Sequence, residues 1–365
     1  MFPASRTPCQ VEYTAFPMPP PTARRVLRET VVPFTAGDGL PCNLVHVSGP
    51  VEATRGPVLL VHGSGVRAHI FQPPIARTIV DVLVDEGYDV WLENWRASVD
   101  LPPTKWTLDQ AARHDHPAAV RTVLGETGAR AIKALVHCQG STSFMMSAVA
   151  GLVPEVTTIV SNAVSLHPVI PGLAAFKLLY ALPPFGLISD YMNPQWGLRA
   201  PTIPAKLIKA VVALTHHECD NPVCKQVSFT YGAGFPSLWS HENLSDETHA
   251  WVTGEFGPCS VAFFRQMGRC VRRGHLVSVD RTLGLPGSFV AGPPKTTARI
   301  AFVAGERNLC FLPESQARTF EYFNAVQPGR GHTLHVLPNY GHLDVFIGKN
   351  ADRDVFPMIV GELGQ

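Results

Sequence analysis

Charge is scarce in this chain of 365 residues: acidic and basic side chains make up 16% of it and cancel to a net +1. No basic run disturbs that balance. A nucleic acid is therefore not expected as a partner, because such binding relies on clustered Lys and Arg displacing counterions. Long apolar runs are missing too. The most apolar stretch, Val169 to Ile188, is interrupted by Pro171, Lys177, Pro183 and Pro184, so stable membrane insertion is not expected. Met1 to Arg25 carries Pro19, Pro20 and Pro21 and no apolar signal-like core, which makes the cytoplasm the expected location. No Gly-x-Gly-x-x-Gly follows a strand-like run; the chain has no dinucleotide site of its own and no cofactor is expected. Internal repeats and low-complexity tracts are absent. The eight cysteines are scattered, and without an export signal reduced thiols are the default.

What is present starts at Val136-His137-Cys138-Gln139-Gly140. An apolar run (Ala131, Ile132, Ala134, Leu135) precedes it and a helix-like run, Phe144 to Leu152, comes after it. This is the strand, sharp turn and helix of a nucleophile elbow, with cysteine at the usual serine position and Val136 at the first glycine. A buried cysteine is ordinarily plain core, but three other segments support a chemical reading. Leu59-Leu60-Val61-His62-Gly63-Ser64-Gly65 runs a strand into a glycine-rich loop. With Cys138 as nucleophile, the backbone N–H groups of Ser64 and Gln139 become the candidate oxyanion hole. His342, in Asn339-Tyr340-Gly341-His342-Leu343-Asp344 after a final strand-like run, is the candidate base by its place in the order nucleophile, acid, histidine.

The acid position is anomalous. After the strand Arg299 to Ala304, the segment Gly305-Glu306-Arg307-Asn308 puts an amide where a carboxylate belongs. For a serine nucleophile the equivalent change costs about 10⁴ in turnover. A thiol, with a free pKa of about 8.5, makes a lesser demand. The third residue then only has to steer the imidazole, and the amide oxygen of Asn308 accepting the ring N–H is the expected contact, as in papain-type sites. The expected triad is Cys138, His342 and Asn308. Glu306, Glu314 or Asp344 could supply a carboxylate instead, Glu306 foremost.

Periodicity places short, nearly continuous apolar strands at 57–62, 88–94, 131–137, 156–161, 298–304 and 332–338. Helices are expected at about 74–86, 108–126, 141–152, 313–325 and 351–363, and a hairpin about Ala36 to Gly39. The fold class is α/β: a mostly parallel sheet with helices on both faces. The alternation stops between 169 and 290, which reads as an inserted cap. The expected organisation is thus an extension at 1–30, core at 31–168, cap at 169–290 and core again at 291–365. Within the cap, Phe176, Leu178, Leu179, Tyr180, Phe185 and Leu187, then Phe229, Tyr231, Phe235 and Trp239, crowd two stretches and imply a lipophilic substrate. His216-His217-Glu218-Cys219 and Cys224 invite a zinc or disulfide reading. No second Cys/His pair lies nearby in sequence, so plain cap structure without metal is expected.

Several tracts carry a resemblance. Tyr88-Asp89-Val90-Trp91-Leu92-Glu93-Asn94-Trp95-Arg96, then His114-Asp115-His116-Pro117-Ala118, and His137-Cys138-Gln139-Gly140-Ser141-Thr142 resemble the acid (gastric and lysosomal) lipase family of α/β-hydrolases. A hydrolase-like region fused behind cholesterol-oxidase-like flavoproteins of the glucose–methanol–choline class is more similar. Those regions carry a cysteine at the elbow and tracts like His241-Glu242-Asn243-Leu244-Ser245, Gly274-His275-Leu276-Val277-Ser278 and Gly341-His342-Leu343-Asp344-Val345-Phe346. The resemblance implies an α/β-hydrolase fold and an acyl hydrolase of esterase, lactonase or thioesterase type. In that reading His342 takes the Cys138 proton and an acyl-cysteine forms on a lipophilic ester, lactone or thioester. The same intermediate would serve an acyltransferase or cyclase, with polyhydroxyalkanoate synthases as precedent. A non-catalytic module partnering an oxidoreductase is the remaining reading.

Overall fold

The computed structural model describes residues 27–50, 52–232 and 237–365. Cys9, the Pro19–Pro21 run, most of the expected 1–30 extension, and Phe235 lie outside the described residues. Ten strands are described: β1 (Arg28–Thr35), β2 (Pro41–Ser48), β3 (Pro57–Val61), β4 (Asp89–Asn94), β5 (Ile132–His137), β6 (Val156–Asn162), β7 (Tyr191–Met192), β8 (Cys259–Ser260), β9 (Arg299–Gly305) and β10 (Thr333–Leu337). Eight form one sheet in the order β1-β2-β4-β3-β5-β6-β9-β10, while β7 and β8 make a small separate ribbon. The pairs β1–β2 and β2–β4 are antiparallel; every later pair in the large sheet is parallel.

The reason for the parallel core is legible in burial. All five residues of β3 are buried, as are the last five of β4, which requires helices over both faces. Ile79–Asp85 packs beside Phe356–Leu363, and His116–Thr127 beside Cys138–Val149. The chain reverses direction across the sheet at β3, from β4 on one side to β5 on the other, and such a switch point leaves a crevice at the carboxyl ends of the strands. The loops after β3, β5, β9 and β10 all open there.

Three helices depart from the sequence expectation. The one placed at 74–86 begins at Ile79, because Thr78 and Asp81 form a reciprocal capping box; residues 68–71 are a separate 3-10 turn. The 108–126 helix contains a π turn, Ala111–Asp115. One extra residue in a turn rotates the remainder of the helix about its axis, and here it accompanies the inward placing of Asp115 and His116, both fully buried. Asp115 meets Arg96 at 2.6 Å, and His116 bridges Glu93 (3.0 Å) and Ser143 (2.7 Å). The 351–363 helix is two, Ala351–Asp354 and Phe356–Leu363, since Pro357 cannot continue a helix from the preceding turn.

Between β6 and β9 the chain leaves the sheet for helices at Gly172–Phe176, Ile203–Thr215, Pro222–Tyr231, Asp246–Trp251 and Val261–Arg273, plus the β7–β8 ribbon. These elements cover the crevice. Among the described residues no helix is long and apolar enough to cross a membrane.

The last helix is locked by charge. Glu362, with a fully buried side chain, accepts from His335 Nε2 at 2.6 Å and pairs with Arg299. Burial alone would raise its pKa; the hydrogen bonds from His335 and Arg299 and their charge outweigh it and hold the carboxyl at about 2. A folded-state pKa below the unfolded value contributes stability above about pH 4.5, lost as pH falls toward 2. Glu362→Gln should remove that dependence. Urea unfolding from pH 5 down to pH 2 should show the parent losing roughly 3 kcal/mol more than the variant. Parallel losses in the two proteins would dismiss this account.

Candidate active site

Cys138 sits at the first position of the helix Cys138–Val149, directly after β5, with φ of 55°. A non-glycine residue in that region is strained, by about 1–3 kcal/mol, and such turns persist where neighbours enforce them. The enforcement is visible. A Cβ on Gly140 would lie 2.2 Å from the carbonyl oxygen of His62, and one on Gly63 would lie 3.0 Å from the Cys138 Cβ. Both glycines are required by close approach. Val136, at the first glycine position, pairs with Val61 and Ser161 inside the sheet and is fully buried. Its side chain belongs to the core, so that departure from the elbow pattern leaves the turn intact.

His342 and Asn308 arrive from the loops after β10 and β9. The Cys138 sulfur and one ring nitrogen each of His342 and His137 lie within 4.8 Å of one another. Asn308 Nδ2 is 3.1 Å from His342 Nδ1. The three expected residues do meet, but the amide is turned the other way from expectation. Asn308 Oδ1 accepts the backbone N–H groups of Cys310 and Phe311, each at 3.0 Å. Only an oxygen can accept two N–H groups, so the amino group faces the ring, and it can only donate. Nδ1 of His342 is therefore the acceptor, and the proton of the neutral ring sits on Nε2. This corrects the expected contact: Asn308 steers His342 as a donor to it.

Sequence reasoning also missed Cys310. It lines the same cavity as Cys138, and its sulfur is 3.4 Å from the carbonyl of Tyr231. Burial pushes the Cys138 thiol up. Cys310, the His342 ring and the Gln139 N–H, all beside the sulfur, outweigh burial and hold it well below the ordinary thiol range. Cys310 is raised in turn, first by the neighbouring Cys138 thiol and then by burial. A helix N-terminus also favours a thiolate. Nothing in one-dimensional spacing marks Cys310, two residues past Asn308, as a neighbour of Cys138.

His137 Nδ1 bonds Asn162 Oδ1 at 2.7 Å, and its ring lies 4.7 Å from that of His342. Burial and the His342 ring hold His137 well below the usual imidazole range. Cys138, His137 and His342 together have the composition of a three-ligand metal set. Ser64 borders the cavity beside Gly63, its carbonyl taking the Tyr231 hydroxyl at 3.0 Å. Gln139 follows Cys138 at the helix start, where backbone N–H groups have no intrahelical acceptor. Ser64 lines the cavity of Cys138, and Gln139 lines the one next to it. Glu306 is not recruited: it is exposed, and its carboxylate accepts the Asn339 N–H at 3.2 Å. Asp344 is spent on Gly341, Ser240 and Asn243 rather than on the His342 ring.

The chain between β6 and β9 closes over the crevice, contributing Tyr231, Leu238 and Phe256 to its lining. The cavity bounded by Cys138, His342, Tyr231, Phe256, Cys310 and Leu343 holds about 20 Å³, enough for about one water molecule. A second of about 40 Å³, lined by Leu178, Phe263, Phe264 and Met267 among others, begins across Tyr231 and Cys310. Of the aromatic cap stretches, Leu178 and Tyr231 line these cavities and Trp239 is buried, whereas Phe176, Tyr180 and Leu187 are exposed.

No protein-family model matches the sequence. Over 157 residues the chain is 26% identical to sterol esterase 2 of Saccharomyces cerevisiae, a match covering 36% of this chain and 29% of that protein. It is 29% identical over 317 residues to human lipase member K, covering 76% of this chain and 72% of the lipase. Among solved structures, an esterase from Thermogutta terrifontis superposes with a TM-score of 0.54 at 15% identity, over 92% of this chain and 98% of the esterase. With the sheet order above, these likenesses establish the α/β-hydrolase fold.

Proposed function

We propose that the protein is an acyl-transferring enzyme of esterase, lactonase or thioesterase type that works through an acyl-Cys138 intermediate on a lipophilic substrate. The observation that carries this reading is the strained Cys138 turn at the carboxyl end of β5, with a ring nitrogen of His342 within 4.8 Å of its sulfur and Cys310 lining the same cavity. The thiolate attacks the carbonyl carbon, and the Ser64 and Gln139 N–H groups receive the oxyanion. Collapse expels the leaving group and forms the thioester. The likeness to a sterol esterase and a lipase supports an ester as substrate and water as acceptor. The exposed apolar cap residues Leu173, Phe176, Tyr180 and Leu187 support a lipophilic one. All seven described cysteines are free, which agrees with a reducing, cytoplasmic setting. Partnership with an oxidoreductase rests on the family resemblance alone.

The Asn308 orientation favours a second reading for the acceptor step. With Nδ1 held as an acceptor, His342 presents Nε2–H and takes no proton from water in that state. Thiols and amines, better nucleophiles than water, then compete for the thioester, and leaving groups stable as anions (thiolate, enolate, phenolate) depart most readily. Incubation with an aryl ester or acyl thioester, followed by mass spectrometry and product analysis with and without added thiol, tests both. The expected result is a Cys138 adduct that turns over, with release faster in thiol. A folded protein that never acquires the adduct would refute the enzyme reading.

A further inference from the structure

The cap contains a second cluster that ester chemistry does not use. Cys219 and Cys224 bracket a tight turn leading into the helix Pro222–Tyr231. Asn221 caps that helix, accepting the N–H groups of Val223 and Cys224 at 3.0 Å. Its Nδ2 reaches across to the His249 carbonyl at 3.1 Å and the Thr253 hydroxyl at 2.7 Å, pinning the turn to the helix Asp246–Trp251. His241 enters from the 3-10 turn His241–Asn243. One ligand atom from each of Cys219, Cys224, His241 and His249 lies within 4.8 Å of all the others.

The geometry and chemistry are those of a closed cation site. Cys224 Sγ is 3.4 Å from His241 Nε2, and the rings of His241 and His249 meet edge-on with centroids 4.8 Å apart. Tetrahedral zinc with bonds of about 2.3 Å to sulfur and about 2.0–2.1 Å to nitrogen separates neighbouring S and N ligands by about 3.5 Å. The Cys224–His241 edge already has that length, and the longest edge needs to close by about an ångström, within the reach of side-chain rotation. Two groups nearby lack a counterpart. His249 Nε2 is buried with no hydrogen-bond partner, and both carboxylate oxygens of the adjacent Glu218 are buried and unpaired. Buried polar groups are ordinarily satisfied, and unsatisfied ones point to an ion or water. Cys219 and Cys224 are free thiols.

We propose that Cys219, Cys224, His241 and His249 form a structural zinc site. With four protein ligands the coordination is complete, so the ion organises the chain and offers no open position for catalysis. Its binding releases the thiol protons and joins the Cys219–Cys224 turn to His241 and His249. The site also sits beside the loop of the proposed base. Leu238, three residues before His241, accepts the N–H groups of His342 and Leu343 at 3.1 and 2.7 Å. Asn243, two residues after it, donates to Asp344 at 2.7 Å. The ion thus fastens the strap that holds the His342 loop. The zinc assignment itself does not depend on the ester reading.

The test uses the full chain, purified under reducing conditions, stripped with chelator and reloaded separately with zinc or cobalt. One tightly held zinc per chain is expected, with tetrahedral d–d absorption and thiolate charge-transfer bands in the cobalt form. Stripping should lower the melting temperature, and zinc should restore it. Cys219→Ser/Cys224→Ser should lose the metal and both spectral features. His249→Ala, which keeps both thiols, should hold zinc at least about tenfold more weakly. A reduced chain that reloads well below one equivalent overturns the proposal. So does undiminished metal in the double cysteine variant, which would place the ion at His137, Cys138 and His342. A Cys219–Cys224 disulfide that persists in reductant would overturn it as well.

Discussion

Cys138→Ser should lose at least about 10³-fold in acylation rate although it differs from the parent by one atom. A thiolate attacks without help, and in the parent Cys310, His342 and the Gln139 N–H hold the sulfur well below the ordinary thiol range, against the opposing effect of burial. A serine hydroxyl is neutral at any working pH and must surrender its proton to a base. His342 cannot be that base while Asn308 Nδ2 donates to its Nδ1 at 3.1 Å, because the ring's own proton then occupies Nε2. Asn308→Asp in the serine background reverses the arrangement. One carboxylate oxygen keeps the Cys310 and Phe311 N–H groups, the other accepts from Nδ1, and Nε2 becomes free to take a proton. The double variant should regain at least about tenfold over the single one. Burst kinetics with an aryl ester read both quantities. A serine variant as active as the parent would end the tautomer argument.

Arg96→Met should cost about 3–5 kcal/mol of folding stability. Arg96 is almost wholly buried and donates to Asp115 at 2.6–2.9 Å and to Asp38 at 2.9 Å. Asp115 is fully buried. Removing the guanidinium leaves that carboxylate without its counter-charge in the interior, and the penalty is mainly desolvation. Asp115→Leu added to Arg96→Met should recover part of the loss, since no orphaned charge then remains. Urea midpoints at constant m-value measure both changes. A single variant within about 1 kcal/mol of the parent would mean that the pair is not what secures this part of the core.

Arg96 and Cys138 both fall on tracts that carry the family resemblance, and the structure separates their surroundings. Glu93, Arg96, Asp115 and His116 form a buried polar scaffold beneath the elbow, with His116 hydrogen-bonded to Ser143 inside the elbow helix. Cys138, His342 and Asn308 stand above it at the strand ends. Both sets are recognisable as motifs, yet only their placement distinguishes support from chemistry.

The sequence determined the strand–helix alternation, the elbow and the loops that converge on it, because burial periodicity and turn chemistry are local properties written within a few residues. It marked Cys138, His342 and an amide, Asn308, as residues to be brought together at the strand ends. Tertiary structure alone decided which end of the Asn308 amide faces the ring, since that depends on the backbone N–H groups of Cys310 and Phe311 meeting its oxygen. It decided that Cys310 would line the same cavity as Cys138, and that His241 and His249 would join two cysteines from a different cap segment. Such contacts join side chains through folded loops, where direction and distance are set by packing and leave no periodic mark along the chain.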